Sequence, residues 1–344
     1  MKQKLISIVK YLFFLLLGIA LLFVAFHNIK LAEVWDELKH AEYSWLIGSM
    51  FIALASHFFR ALRWNQLIHK LNYRTSVKTT FYAVMIGYLA NLALPRMGEV
   101  TRCVVLGKKE KIPFNALFGS VIAERVFDMI VLLLIIFIIL IVQFKEIGGF
   151  LNRIIFQPLL GSYTGNLTAI ILLLALIIAM IIVGIFVFKR LKSRMKGSML
   201  YEKIAAFLDG FIDGVKSIAA VEHKGLFLLY TFMIWALYLA MIVLPFYSFK
   251  ETSFLNIIDG MTVLAIGSLG IVAPVPGGIG SYHFIITELF TQLYDIPAQA
   301  AVAYATANHA AQTLIILLAG GISYILLFLN KRKPLNELPP GNKK

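Results

Sequence analysis

The sequence predicts an all-α polytopic membrane protein, a prediction that rests on its composition, its long apolar runs and its loop charges. Of its 344 residues, 60% are hydrophobic and 15% are charged, and the mean hydropathy is +0.84. Soluble proteins average about 45–50% apolar and about 25% charged residues, so a soluble globular fold is excluded. The 32 Lys and Arg residues outnumber the 18 Asp and Glu residues. Basic cytoplasmic loops explain this excess, so no nucleic-acid partner is expected.

Six apolar runs are long enough to cross a bilayer, since a spanning helix needs about 20 residues. Loop charges set their orientation, because Lys and Arg collect on the cytoplasmic side. The segment 27–42 is net acidic and is predicted outside, whereas 189–224 and the tail 331–344 are basic and are predicted to be cytoplasmic. Both termini are therefore expected on the cytoplasmic side of the cytoplasmic (inner) membrane. The six predicted spans are residues 9–27, 43–59, 114–142, 167–188, 225–248 and 299–329.

Two further apolar runs, 79–107 and 254–295, are broken by Pro and Gly. Basic residues flank both ends of the first run, so it is predicted to enter from the cytoplasm and return as a re-entrant hairpin. Such a segment is tolerated where protein or water lines it. The second is predicted to enter and leave from the outside. The alternative is that residues 254–272 and 281–296 are two additional spans, which would give eight in all.

This topology predicts two units with the same order of elements: two spans, a re-entrant hairpin and one span. Each unit crosses the membrane three times, so the second unit is inverted relative to the first. Inverted repeats with interrupted helices are typical of secondary transporters, whose substrate sites lie near the midplane at the interruptions. The predicted units are residues 1–145 and 146–330, followed by a basic cytoplasmic tail at 331–344.

Polar residues within the apolar segments are the first place to look for a substrate site, because an ionisable group there costs about 2.5–3.5 kcal/mol. Arg60 and Arg63 lie at the end of the second span. A guanidinium group offers a planar fork of donors that matches phosphate oxygens. The alternative is that these arginines simply anchor the span at the cytoplasmic surface.

The first broken run and the third span carry further charges. Pro95 and Gly98 predict a turn at the hairpin tip, surrounded by Asn91, Arg96, Glu99 and Arg102. Glu124 and Asp128 lie at i and i+4 on one helix face, and pairing with Arg96, Arg102 or Arg125 would neutralise them. Such a network can hold a substrate phosphate, or it can be purely structural.

The second broken run contains Gly277, Gly278 and Gly280 between prolines and a helix that is predicted to begin at Ser281. Backbone amides at such a turn, beside a helix N-terminus, form a natural anion site. His283 follows and is a candidate for titration near neutral pH, although a hydrogen-bonded core histidine is the alternative.

No enzyme motif accompanies these groups. Lys108 and Lys109 lack the upstream glycine and the following Ser or Thr of a P-loop, and HExxH and GxSxG do not occur. Cys103 is the single cysteine, so a disulfide and a Cys-based metal site are excluded. We therefore expect no catalytic residue, no cofactor and no metal, and we do not expect an enzyme.

Four motifs together resemble the lysylphosphatidylglycerol synthase transmembrane family, the flippase-like membrane part of the multiple peptide resistance factor. The resemblance implies that the chain moves a lipid across the cytoplasmic membrane, aminoacylated phosphatidylglycerol being the known family example. Relatives that synthesise this lipid carry a fused soluble domain, so lysyltransferase activity is not expected here. Many relatives have an acidic residue where this chain has His283. The motifs are Arg60-x-x-Arg63-Trp64, Asn91-x-x-Leu94-Pro95-x-x-Gly98-Glu99-x-x-Arg102, Glu124-Arg125-x-x-Asp128 and Pro274-x-Pro276-Gly277-Gly278-x-Gly280.

The predicted function is a lipid flippase for a phosphate-bearing headgroup, with an anionic phospholipid or a lipid-linked phosphate as the expected partner. One alternative is a non-transporting membrane subunit that presents lipid to a partner enzyme, and a less favoured one is an enzyme acting on a lipid phosphate. The predicted substrate-binding residues are Arg60, Arg63, Asn91, Arg96, Glu99, Arg102, Glu124, Arg125, Asp128, Gly277, Gly278, Gly280 and His283.

Overall fold

The computed structural model describes residues 2–27, 29–151, 175, 221–272, 275–329 and 334–335, and these residues form helices without any β-strand. The predicted span 167–188 and the basic segments 189–224 and 331–344 lie almost entirely outside the described residues. The helices are α1 (Lys2–Phe26), α2 (Leu31–His40), α3 (Tyr43–Lys70), α4 (Val77–Ala93), α5 (Gly98–Glu110), α6 (Phe114–Val142), α7 (Phe144–Leu151), α8 (Lys224–Phe246), α9 (Ile257–Val272), α10 (Ser281–Leu293) and α11 (Ala298–Leu329), with 3₁₀ turns at Lys250–Thr252 and Pro276–Gly278.

Four helices of the described part, α3, α6, α8 and α11, are long and apolar enough to cross a membrane. They coincide with four of the six predicted spans. The apolar part of α1 and the short helix α2 are bent by 84° relative to each other, and this pair would be a fifth span if it crosses as one unit. The chain is therefore a multi-pass α-helical membrane protein.

Helix α3 continues beyond the predicted end of its span. The apolar run stops at residue 59, but the helix ends at Lys70, so Arg60 and Arg63 lie well inside it. Both arginines are buried against acidic side chains of α6. Because these charges are neutralised inside the protein, the fall in hydropathy at residue 60 does not mark the end of the helix.

The broken runs form two helical hairpins. In the first, α4 and α5 approach closely at Gly87 and Gly98, and the Asn91 side chain accepts a hydrogen bond of 2.6 Å from the Gly98 amide. In the second, α9 and α10 pack together on either side of the Pro276–Gly278 turn. Each arm has 17 residues or fewer. This is less than the about 20 residues of a spanning helix, which favours hairpins over additional spans.

The packing between the two parts of the chain is reciprocal. Helix α4 of the first hairpin packs against α11, and α9 of the second hairpin packs against α6. Helices α3 and α8, which precede the hairpins, pack along each other. The inverted repeat with units 1–145 and 146–330 remains a prediction.

The tips of the two hairpins meet. Helix α4 contacts the Pro276–Gly278 turn, and a methyl group placed on Gly277 would lie 3.5 Å from the Leu92 side chain. Helix α1 crosses the same turn at its other end, with Gly18 against Gly280. The turn is therefore held between two helices of the first unit.

Gly280 allows that crossing, and its replacement tests the packing. Its φ is +84°, and a methyl group added to it would clash with the Gly18 carbonyl oxygen. Gly278 has a similar φ of +76°, but its added methyl group meets no described atom within 4 Å. We expect Gly278→Ala to cost about 1–3 kcal/mol of stability through backbone strain alone, and Gly280→Ala to cost clearly more.

Thermal unfolding of the purified protein in detergent, followed by loss of the monodisperse species, measures both variants. Equal losses of stability for the two substitutions would contradict the close contact between α1 and the second hairpin.

Candidate functional site

Five charged side chains from α3, α5 and α6 form one buried group, which we name the charge cluster: Arg60, Arg63, Arg102, Glu124 and Asp128. The shortest contacts join Arg60 Nη1 to Glu124 Oε1 and Arg63 Nη2 to Asp128 Oδ1, each at 2.7 Å. Arg102 Nη1 lies 3.3 Å from Glu124 Oε2. Three predicted site segments that are far apart in sequence are thus in direct contact.

Helical spacing explains why these side chains converge. Arg60 and Arg63 are three residues apart on α3, and Glu124 and Asp128 are four residues apart on α6, so each pair lies on one helix face. The pairs also cross: Arg60 Nη2 is 3.3 Å from Asp128 Oδ2, and Arg63 Nη2 is 3.5 Å from Glu124 Oε1. Each carboxylate therefore bridges both arginines of α3.

The charge cluster carries a surplus positive charge, because three guanidinium groups face two carboxylates. Arg102 is the least satisfied member: its Nε and Nη2 atoms are buried and have no hydrogen-bond partner in the described part of the structure. A buried charge that is incompletely paired is costly. An anion that reached Arg102 would neutralise this charge and accept from these donors.

Side chains outside the predicted set complete the charge cluster. Tyr238 on α8 accepts a hydrogen bond of 2.7 Å from Arg60 Nη2, and Thr231 accepts one of 3.1 Å from Arg63 Nη1. The Arg102 guanidinium lies over the Trp64 ring, 4.6 Å from its centroid. Sequence reasoning missed Tyr238 and Thr231. The available signal was their seven-residue spacing, which places two polar groups on one face of an apolar helix.

Arg125 and Glu99 form a more exposed pair beside the charge cluster. Arg125 Nε lies 3.4 Å from Glu99 Oε1, and the two side chains are 42% and 28% exposed. Arg125 Nη1 is also 3.9 Å from Asp128 Oδ2. This pair therefore connects the buried charges to the accessible surface.

Two predicted residues of the first hairpin tip have other surroundings. The side chain of Asn91 is engaged with the Gly98 amide and shapes the tip. Arg96 is exposed, with a φ of 61°. The ion-pair partners of Glu124 and Asp128 in the described residues are Arg60, Arg63, Arg102 and Arg125.

The predicted residues of the second hairpin form a separate group, which we name the histidine site. The rings of His283 and His309 have centroids 5.0 Å apart, and His309 Nε2 lies 2.9 Å from the Gly277 carbonyl oxygen. Asn308 Nδ2 donates a hydrogen bond of 2.8 Å to the Tyr282 hydroxyl. Gly278 lies in the adjoining turn, whereas Gly280 faces α1. His309 was outside the predicted set, although it stands next to Asn308 in a polar patch of an apolar helix.

No metal centre is indicated in the described part of the chain, where no three His, Cys, Asp or Glu side chains are placed to hold an ion. The charge cluster combines carboxylates with guanidinium groups, which repel cations.

Comparison with known proteins gives one family and two curated relatives. The family model described as "Lysylphosphatidylglycerol synthase TM region" matches residues 8–320. Glycosyltransferase AglD of Haloferax volcanii is 24% identical over 329 residues, which cover 89% of this chain and 52% of that protein. The UPF0104 membrane protein MJ1595 of Methanocaldococcus jannaschii is 26% identical over 148 residues, covering 42% and 44%. The matches span about half the length of these curated relatives. No solved structure gives a significant match.

Glu124 contacts all three arginines of the charge cluster, and its replacement tests how far the fold depends on this pairing. We expect Glu124→Gln to lower the free energy of unfolding by about 3–5 kcal/mol, because three buried guanidinium groups would then face one carboxylate. Glu33→Gln is the matched control. Glu33 is 46% exposed and paired with Lys30 on α2, and its loss should change stability by less than about 1 kcal/mol.

Thermal unfolding in detergent measures both variants. A Glu124→Gln protein as stable as the control would show that the charge cluster does not support the fold.

Proposed function

Because the chain belongs to the lysylphosphatidylglycerol synthase transmembrane family, we propose that it moves a lipid with a phosphate-bearing headgroup across the membrane. The headgroup binds at the charge cluster, and the acyl chains remain in the bilayer. The surplus positive charge at Arg102 is the observation that carries this proposal, because it gives a buried site that an anion would complete.

Phosphate suits the donors of the charge cluster. Arg102 has one Nη atom on Glu124 and leaves Nε and Nη2 for a ligand. These two atoms lie on one edge of the guanidinium plane and can bind two phosphate oxygens at once. The ring of Trp64 under Arg102 fixes the plane and so sets the direction from which the phosphate approaches.

The depth of the charge cluster fits a transport site. Helix α6 has 29 residues and is about 43 Å long, longer than the about 30 Å of a hydrocarbon core. Glu124 lies ten residues after its start, which is about 15 Å along the helix. A headgroup bound there has left the membrane surface. It also reaches Arg102 on the first hairpin, and secondary transporters bind substrate at interrupted segments of this kind.

Binding exchanges one ionic partner for another. In the described structure the carboxylates of Glu124 and Asp128 occupy the guanidinium groups, and an arriving phosphate takes over part of this pairing. The Arg125–Glu99 pair is the accessible edge of the network and opens first. Rocking of one unit against the other, at the contact between Leu92 and Gly277, then changes the side from which the site is reached. With no nucleotide-binding motif in the sequence, the energy comes from a lipid gradient, an ion gradient or a partner.

The second candidate function is a membrane subunit that presents lipid to a partner enzyme. One observation favours it: the chain matches 52% of a protein named as a glycosyltransferase. No soluble catalytic domain is present in the described residues, so the enzyme would be a separate protein or domain. In this case the charge cluster would hold a lipid phosphate without transferring it between leaflets.

Substitution of Arg102 separates a role in function from a role in the fold. Arg102→Gln leaves two guanidinium groups facing two carboxylates, so we expect stability within about 1 kcal/mol of the wild type. We expect lipid movement to fall at least tenfold, because the donors for phosphate are lost. Lys108→Gln removes a charge from an exposed position on the same helix and should change neither property.

The assay uses purified protein in liposomes and follows fluorescent phosphatidylglycerol by quenching of the outer leaflet. Normal movement in the Arg102→Gln protein would refute the assignment of the headgroup site.

The same assay separates the two candidate functions. A flippase moves fluorescent phosphatidylglycerol between leaflets without another protein. A presenting subunit leaves it in its leaflet but still binds it in an Arg102-dependent manner. If wild-type protein at several reconstitution densities neither moves nor binds this lipid, both proposals are wrong.

A further inference from the structure

The last helix of each unit carries polar residues at the same positions. Glu124 lies ten residues after the start of α6, and Asn308 lies ten residues after the start of α11. The motif Glu124-Arg125-x-x-Asp128 is thereby matched by Asn308-His309-x-x-Gln312. Each carboxylate of the first motif is replaced by a neutral amide, and the arginine is replaced by a histidine.

The contacts of the matching residues also correspond. Glu124 binds Arg102 on the second arm of the first hairpin, and Asn308 binds Tyr282 on the second arm of the second hairpin. The histidine site is therefore placed like the charge cluster, but its side chains are neutral unless a histidine takes up a proton. Protonation can change the charge of the histidine site, whereas the arginines of the charge cluster are always charged.

The geometry of His309 fixes where a proton would bind. A carbonyl oxygen only accepts hydrogen bonds, so His309 must donate to Gly277 through Nε2. In the neutral ring this leaves the lone pair of Nδ1 as the basic position. His283 is 6% exposed, and its Nδ1 has no hydrogen-bond partner among the described residues. With ring centroids 5.0 Å apart, the two imidazoles are close enough to compete for one proton.

A proton on this pair would lack a neutralising partner. Helix α11 contains no Asp, Glu, Lys or Arg, and Glu288 is the one acidic residue of α10. Glu288 makes no ion pair with either histidine in the described structure. By contrast, every arginine of the charge cluster contacts a carboxylate. A protonated histidine site would therefore need an anion from outside the protein.

The ionisable groups around the pair agree with this. Tyr282 lies beside both rings, at centroid distances of 6.2 Å from His283 and 5.7 Å from His309. The described side chains of α1 contain no ionisable group between Leu12 and Phe26. The other helices that pack on α10 or α11 also carry ionisable residues. In the described structure, neither histidine has a hydrogen bond, ion pair or ring contact with any of the following: Asp259 on α9, Lys145 and Glu146 on α7, Tyr43, His57, Arg60, Arg63 and His69 on α3, Lys78, Tyr82 and Tyr88 on α4, Lys224, Tyr230 and Tyr238 on α8, Glu33, Asp36, Glu37, Lys39 and His40 on α2, and Lys250 and Glu251 in the adjoining turn.

We propose that His283 and His309 form a second headgroup site that binds one proton together with one lipid phosphate. The proton joins the lone pair of an imidazole Nδ1 atom, and the resulting cation pairs with the phosphate beside Gly278, where the described structure leaves open space. The identity of the anion as a lipid headgroup rests on the proposed function. The proton site itself does not depend on it.

The sign of the pH dependence follows from this scheme. Acidification protonates the pair, so anion binding strengthens as the pH falls and weakens as it rises. Binding is reciprocal, so a bound phosphate must increase the proton affinity of the histidines by the same factor. In the predicted orientation α6 begins in the cytoplasm and α11 begins outside. The arginines of the charge cluster then lie nearer the cytoplasm, and the protonated histidine pair lies nearer the outside. A proton gradient across the membrane would therefore bias the direction of lipid movement.

The test is a titration of the full chain, labelled with ¹⁵N-histidine, in nanodiscs of phosphatidylcholine with or without phosphatidylglycerol. Imidazole nitrogen shifts are followed by NMR between about pH 5 and pH 8, the range in which histidines usually titrate. We expect the pair to take up one proton, and phosphatidylglycerol to raise the midpoint by about one pH unit, a tenfold gain in proton affinity. No lipid-dependent shift, or two independent protonations, would overturn the proposal.

Two variants assign the signals. His309→Gln keeps an amide donor for the Gly277 carbonyl but cannot titrate, so it should remove the lipid-dependent transition. His69→Gln removes an exposed histidine of α3 and should leave this transition unchanged. If the transition persists in His309→Gln, the proposed pair is wrong.

The liposome assay, run in parallel, keeps the two proposals distinguishable. A lipid-dependent shift without lipid movement supports the proton site and refutes transport. Lipid movement without the shift supports transport and refutes coupled binding of a proton and the lipid at the histidine site.

Discussion

Charged side chains within a bilayer are tolerated when they neutralise one another, and this constraint organises the first half of the molecule. Arg60 and Arg63 on α3 cannot face lipid, so α3 must pack where Glu124 and Asp128 of α6 can meet them. Arg102 on α5 contacts Glu124 of α6 and lies over the Trp64 ring of α3, which ties the first hairpin to both spans. The ion pairs therefore fix the relative positions of three helices.

The same cluster links stability to function. A purely structural network would be expected to balance its charges, whereas the charge cluster contains three guanidinium groups and two carboxylates. The Nε and Nη2 donors of Arg102 are buried without a hydrogen-bond partner among the described residues. The carboxylates pair with the arginines of three helix segments, and the proposed function assigns anion binding to the surplus arginine.

The two hairpins differ in how they interrupt the helix and in the chemistry that they bring. The first turns at Pro95 with the Asn91 side chain on the Gly98 amide, and it positions permanent charges. The second hairpin turns through glycines with positive φ and contacts Gly18 and Leu92. It positions neutral polar groups. Because the tips of the two hairpins are in contact, a movement of one hairpin would displace the other.

The sequence by itself determined the class of protein, four membrane-spanning helices, the position of the two broken segments and all five residues of the charge cluster. These features follow from apolar run length, from Pro and Gly, and from helical spacing, all of which are local. Only the tertiary structure decided that α3 continues past Arg63, that Tyr238 and Thr231 of α8 complete the cluster, and that His283 stands beside His309. Those facts depend on which helix lies opposite which, because a buried arginine resembles a membrane boundary until its carboxylate partners are known. Pairing between helices that are distant in sequence leaves no local signal, so it becomes visible only in the packed structure.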